Sequence, residues 1–284
     1  MNTRALPPST GSKLSTNANV KAYASDWAVV LILLVYFFSI AEHANPFQRQ
    51  FSITDLSIAH PFATEERVSG IACILLASIL PLAIMFSVTI LKTYTNKTSS
   101  KYDPLHIFQI SLLGLALSIF LDGVVTDILK NWIARPRPDF LARCGVKIDN
   151  QPGELLDVSV CSAPLGVPLL LDGMRSTPSG HSSISFAAFL YLSLWLSGQF
   201  KLFTSTPQHM YKYILVFLPL LLATYVASSR VQDYRHHFMD VILGSVLGST
   251  IASSVYFHYW SGIQSDTCDS PRSFKNAPEH VLPL

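Results

Sequence analysis

A bundle of membrane-spanning α-helices is the fold class this sequence predicts, and two observations predict it. Half of the 284 residues are hydrophobic and only 13% are charged, against about a quarter charged in ordinary soluble domains. The apolar residues are also gathered into six stretches, each near the roughly 20 helical residues that a hydrocarbon core requires. The net charge of +2 comes from 20 basic and 18 acidic residues with no long block of one sign, which argues against nucleic acid as a partner. No internal repeat and no second soluble domain is legible.

Residues 1–25 are polar and rich in Pro, Ser, Thr and Asn. They lack the apolar core and cleavage site of a secretory signal and read as a disordered tail. The membrane domain covers 26–260. Its first span, 27–41, is short unless Asp26 and Glu42 sit at the interfaces; the second, 68–91, holds Pro81, a kink site. The third is 107–129. A hydrophilic connection of about 50 residues follows, longer than structureless loops usually run, which marks it as functional. The fourth span is 180–200, the fifth 213–229 with Pro219 inside it, and the sixth 238–260. In the sixth, Gly244 and Gly248 have the GxxxG spacing that lets another helix come close. Residues 261–284 read as a second polar tail.

Six spans put both tails on one side. The tails and even-numbered loops hold ten of the 20 basic residues, so the count is a tie; setting aside Lys130, Arg137 and Arg230 as functional makes it ten to seven for cytosolic tails. The sequon Asn96-Lys97-Thr98 lies on the tail side and is expected to go unmodified. Cysteines 73, 144, 161 and 268 have no zinc-ligand spacing. Cys144 and Cys161 share the long loop and can bridge if it faces an oxidising compartment; two free thiols is the equal alternative.

Three stretches crowd ionisable residues at span ends, where each would be costly against lipid. They are Lys130-Asn131-Trp132-Ile133-Ala134-Arg135-Pro136-Arg137-Pro138, then Pro178-Ser179-Gly180-His181, then Ser229-Arg230 through His236-His237 to Asp240. Counting crossings brings all three to the tail-distal face. Phosphoryl transfer without a metal needs cationic and N–H donors on the phosphate oxygens, an in-line nucleophile and a proton source for the leaving oxygen. Lys130, Arg137 and Arg230 supply positive charge, arginine as a planar fork. Ser179 and Gly180 enter a helix, where free N–H groups favour an anion. His236 and Asp240 are four apart, so the carboxylate is expected to hold one imidazole nitrogen while the other attacks phosphorus. His181, from another helix, is placed to act as the acid.

In that order the three motifs resemble the signature of the type 2 phosphatidic acid phosphatase superfamily, and the six-span plan suits its lipid phosphate phosphatase branch. The wording around Lys130 and around Asp233-Tyr234-Arg235-His236 is similar to fungal and plant diacylglycerol pyrophosphate phosphatases. The resemblance implies the same roles: Lys130, Arg137, Ser179, Gly180 and Arg230 on phosphate, His181 as acid, His236 as nucleophile and Asp240 as its partner. It further implies hydrolysis of phosphatidate, its lyso form and diacylglycerol pyrophosphate, without magnesium or another cofactor. The site would face away from the cytosol, in the endoplasmic reticulum, Golgi, vacuolar or plasma membrane.

Each motif has a plainer reading. Lys130, Arg135 and Arg137 suit membrane-interface anchors, Pro-Ser-Gly-His suits a turn and helix cap, and His236, His237 and Asp240 suit a structural metal. Only their conjunction outweighs these. Arg135, Asp233, Tyr234, Arg235 and His237 stay outside the expected site, and Asp122 and Asp127 are expected at the interface, with pairing to a cation across the bundle as the alternative. The rival functions are a phospho-headgroup transferase using the same residues and an anion transporter, which would place its site near the midplane.

Overall fold

The computed structural model describes residues 23–41, 43–95, 103–146 and 153–272. Among these the regular structure is helical. Helix α1 (Ala24–Tyr36) continues as a π-helical turn (Phe37–Ala41), followed by α2 (Gly70–Tyr94), α3 (Pro104–Ile133) and two short helices, α4 (Phe140–Cys144) and α5 (Val167–Asp172). The last three are α6 (Gly180–Gln199), α7 (Met210–Gln232) and α8 (Phe238–Tyr259).

All six expected spans are helices. Five of them, Ala24–Ala41, α2, α3, α7 and α8, are long and apolar enough to cross a membrane. Their outward faces expose Leu31, Ile32, Ile71, Ile79, Leu218, Leu221 and Val246, a distribution that suits lipid and not water. The sixth, α6, falls short by composition because it is the hub. It packs against α2, α3, α7 and α8, and its Ser182, Ser183, Ser185, Ser193 and Ser197 are buried. A helix walled in by others needs no lipid-facing surface, and small residues let neighbouring backbones approach. The closest approach is that of α8, where a Cβ added at Gly248 would collide with the Ser183 carbonyl and one at Gly244 with the Ser179 carbonyl. The GxxxG spacing therefore serves the α6–α8 contact.

The helix ends follow from local chemistry. Ser69 caps α2 through its hydroxyl and the Ala72 amide (3.2 Å), and Asp103 caps α3 through Leu105 (3.3 Å), with Pro104 at the first helical position. Ala134, in the left-handed region at φ 47°, ends α3 and turns the chain into the first motif. At the end remote from the motifs, Trp195, Trp260, Tyr191 and Tyr256 fill the core, with Trp260 Nε1 donating to Tyr191 Oη at 3.1 Å.

The long loops are folded rather than structureless. Residues from the α1–α2 and α3–α6 connections form a second small core of Phe51, Ile58, Phe140, Leu156, Val158, Leu170 and Met174. Phe51 and Leu156 exchange backbone hydrogen bonds (3.0 and 2.8 Å). Cys144 and Cys161 are disulfide-bonded, closing a loop of the size for which such a link stabilises by about 3 kcal/mol. This cap lies over the end of the bundle where the three motifs gather.

Folded structure reaches into both segments that the composition assigns to tails. Tyr23 is buried against His106 and Tyr259, and α1 has already begun at Ala24. Residues 261–272 fold back over the end of α6: Cys268 Sγ contacts the Gly198 carbonyl (3.4 Å), and Asp269 lies 3.6 Å from both Lys92 and Lys201. The remainder of both tails and the Asn96 sequon lie outside the described residues.

Candidate active site

The three motifs meet beneath the cap. Lys130, on the last turn of α3, lies 3.8 Å from Asp127 and beside the start of α6, where a Cβ at Gly180 would stand 2.9 Å from its Nζ. Glycine is what lets the ammonium reach that helix terminus. Asp127 also lies 3.4 Å from Arg175, so it pairs with cations rather than resting at the interface. Asp122 is likewise fully buried in the bundle. Asp127 departs from the interfacial placement because its cations come from the α3–α6 connection and from its own helix end.

Arg137 is fixed from several sides. Its amide donates to Gly173 O (2.8 Å), its Nε to Asp172 O (2.9 Å) and its Nη2 to Asp172 Oδ1 (2.8 Å). Burial pushes the Asp172 carboxyl up, but the Arg137 and Arg143 guanidiniums, with Lys130 and Arg175, outweigh it and hold the acid well below the usual carboxylate range. Arg143 is itself clamped to Asp139 (2.9 Å), with neither side chain exposed; leaving one member of such a pair uncompensated costs about 3–5 kcal/mol. The remaining nitrogen, Arg137 Nη1, points to His236 Nε2 at 3.4 Å.

His236 lies between α7 and α8, in a turn where Tyr234 takes a positive φ of 52°. Its Nδ1 is 2.7 Å from the Ser176 carbonyl. A carbonyl can only accept, so Nδ1 carries the proton and Nε2 keeps its lone pair. The ring is 2% exposed. Burial first, then the charges of Arg137, Lys130, Arg230 and His181, hold its pKa well below the ordinary imidazole value. The buried ring is therefore a neutral base with its free nitrogen among cations.

That shift has a sign that can be checked. Below about pH 6.5 an unfolded histidine takes up a proton that folded His236 refuses, so its contribution to stability is intact above that pH and is lost as pH falls. In ¹⁵N-histidine spectra of the protein in micelles, one ring should keep the neutral Nδ1–H form through pH 6.5 and vanish in His236→Gln. Titration of that ring near pH 6.5 would contradict the assignment.

The expected His236–Asp240 contact is not made. Helix α8 begins at Phe238, so His236 stands outside it and the four-residue spacing does not place the two side chains on one face. Asp240 instead accepts from the Ser176 hydroxyl (2.6 Å), the Thr177 hydroxyl (2.5 Å), Arg135 Nη1 (2.8 Å) and the His237 amide (3.0 Å), and faces His237 Nδ1 at 3.1 Å. It reaches the His236 ring only through Ser176, whose hydroxyl it holds and whose carbonyl holds the imidazole. Ser176 and Asp172 were invisible as site residues in the sequence; the hint was the Arg175-Ser176-Thr177 run before Pro178. Arg135 and His237, left outside the expected site, both engage Asp240.

Ser179 also differs from expectation. Its amide donates to Asp240 O (3.0 Å), so it is not free for an anion. Its hydroxyl is buried without a partner among the described residues, as is Arg230 Nε. His181, at the start of α6, has Nε2 3.2 Å from the Val68 carbonyl, which by the same logic places a proton on that nitrogen. Lys130, Gly180, His181 and Cys73 line a cavity of about 110 Å³. A larger cavity of about 610 Å³ lies among Leu80, Phe189, Leu222 and similar apolar residues, and offers no charged group to a phosphate.

Together these groups are suited to hold a tetrahedral anion against the neutral His236 ring, with a second imidazole that carries a proton on Nε2 nearby. The chain is 40% identical to diacylglycerol pyrophosphate phosphatase 1 of Saccharomyces cerevisiae over 266 residues, 93% of this chain and 86% of that protein. It is 37% identical to a probable diacylglycerol pyrophosphate phosphatase 1 of Schizosaccharomyces pombe, covering 82% and 79% of the two chains. Lipid phosphate phosphatase 2 of Arabidopsis thaliana is 34% identical over 83% of this chain and 76% of its own. No solved structure matches the chain. The profile of one family matches residues 111–263, a stretch that contains all three motifs, and on that match and those relatives the chain belongs to the PAP2 superfamily.

Proposed function

We propose that this chain is an integral membrane lipid phosphate phosphatase that hydrolyses phosphatidate, lysophosphatidate and diacylglycerol pyrophosphate through a phosphohistidine on His236. The observation that carries the reading is the neutral His236 Nε2, presented among Arg137, Lys130 and Arg230. Nε2 attacks phosphorus as the bond to the leaving oxygen breaks, and His181 gives that oxygen a proton. Water then attacks phosphorus, the N–P bond breaks, the water's proton passes to His181, and phosphate leaves. Lys130, Arg137 and Arg230 neutralise charge on the nonbridging oxygens, and the unpartnered Ser179 hydroxyl and Arg230 Nε are further donors. Gly180 makes room for Lys130. Asp240 is a positioning residue acting through Ser176.

The protein crosses the membrane several times. In our reading α6 is a sixth span, both tails are cytosolic, and the site lies on the lumenal or extracellular side. The Cys144–Cys161 disulfide on the catalytic side supports that orientation, since such bonds persist in oxidising compartments, and the ten-to-seven charge tally agrees with it.

The test is phosphate release by purified protein in mixed micelles containing chelator, across a panel of lipid phosphates. Activity should persist, because the side-chain cations supply the charge a metal would otherwise bring. Activity lost in chelator and restored by magnesium would defeat the reading. In sealed vesicles with cytosolic sides outward, a water-soluble short-chain substrate should be cleaved only after the membrane is opened.

A further inference from the structure

Arg230 is 2% exposed; its Nη1 lies 3.6 Å from Asp233, just past the end of its own helix, and its guanidinium is further engaged by residues 62–68 of the α1–α2 connection. Nη1 donates to the Val68 carbonyl (2.8 Å), the same carbonyl that faces His181 Nε2. Nη2 lies 3.2 Å from Glu66 Oε2, while Glu66 Oε1 lies 2.9 Å from Arg235 Nη2. Arg235 is anchored in turn by Asp139 (3.2 Å), the Ala63 carbonyl (3.0 Å) and the Phe62 ring 4.2 Å from its guanidinium carbon. Arg67 secures the next turn through Asp233, by its amide (2.9 Å) and its side chain (2.6 Å). The strap thus adds the Glu66 carboxylate to that of Asp233 on a cation assigned to the phosphate site and leaves Arg230 Nε unpartnered among the described residues.

We propose that Glu66 is a built-in competitor of phosphate for Arg230, fitted to speed the release of the product anion. A carboxylate and a phosphate both match the planar fork of a guanidinium, so they contend for the same donors. Inorganic phosphate brings one or two negative charges to within a few ångströms of Glu66, and like charges so placed repel strongly. Arriving phosphate takes Nη2 from Glu66, which keeps its hold on Arg235. When the phosphohistidine is hydrolysed, Glu66 returns to Arg230 and displaces the product. Without such a counter-ion, the cations that stabilise the transition state would also retain phosphate.

The inference rests on the assignment of Arg230 to the phosphate site, and Glu66→Gln tests it with inorganic phosphate as the probe. Phosphate binding is read as inhibition of turnover and, independently of turnover, as protection of the purified protein against thermal unfolding. The inhibition constant should fall roughly tenfold, in the usual range for coupling between two interacting ligands, and kcat should fall where release limits it. Damage to the site weakens anion binding, so tighter binding is a result a merely structural role cannot give. Unchanged or weaker phosphate binding in the folded variant overturns the role of Glu66. Phosphate that protects neither protein removes the phosphate site itself. If the variant does not fold, hydrogen exchange of the wild type decides: phosphate should speed exchange in peptides covering 62–69, and unchanged or slower exchange there overturns the proposal.

Discussion

Replacing His236 by alanine is expected to lower turnover of every lipid phosphate by on the order of 10⁶-fold, the scale on which removal of a covalent nucleophile acts. The reason is local. Nε2 is the nitrogen that burial and the surrounding cations keep neutral, and Ser176 fixes its tautomer. The loss should be the same for phosphatidate and diacylglycerol pyrophosphate, because a nucleophile is needed whatever departs. Rapid acid-free quenching of wild type with radiolabelled substrate should trap an acid-labile phosphoryl group on His236, absent from the variant. A folded His236→Ala protein within about tenfold of wild-type activity, or a labelled residue elsewhere, would end the assignment.

His181→Ala is expected to divide the substrates. General acid catalysis contributes about 10²–10⁴-fold, and the benefit grows with the basicity of the departing oxygen. Phosphatidate must expel the alkoxide of diacylglycerol, so it should lose most of that factor. The pyrophosphate lipid expels a phosphate group, already a stable anion, and should lose distinctly less. His181 shares the Val68 carbonyl with Arg230, so its loss also touches phosphate binding, but equally for both lipids. The ratio of kcat/KM values on the two lipids therefore isolates the proton transfer. Equal losses with chemistry rate-limiting would leave His181 a binding or structural role only.

How much of this was legible in the sequence differs from element to element. The six helices were, because lipid demands long apolar runs with internally satisfied backbones, and such runs stand out in composition. Lys130, Arg137, His181, Arg230 and His236 also stood out as candidates, since ionisable residues at span ends are rare enough to attract notice. The expected Asp240–His236 pair failed because a spacing of four is informative only inside a helix, and α8 starts two residues too late.

What the sequence by itself determined is the helical membrane class, the side on which three motifs gather and the residue types able to move a phosphoryl group. Each is a property of composition or of local spacing. Only the tertiary structure decided that the Ser176 carbonyl faces His236 Nδ1, that Asp172 fixes Arg137, that Asp240 meets His236 only through Ser176, and that Glu66 sits on Arg230. These partners lie 35 residues apart for Asp172 and Arg137 and 60 for Ser176 and His236. They come from loops whose course is set by the disulfide and the small apolar cap, not by any periodic pattern. A contact between irregular segments leaves no local signature in sequence, because its energy arises only when the chain has already closed.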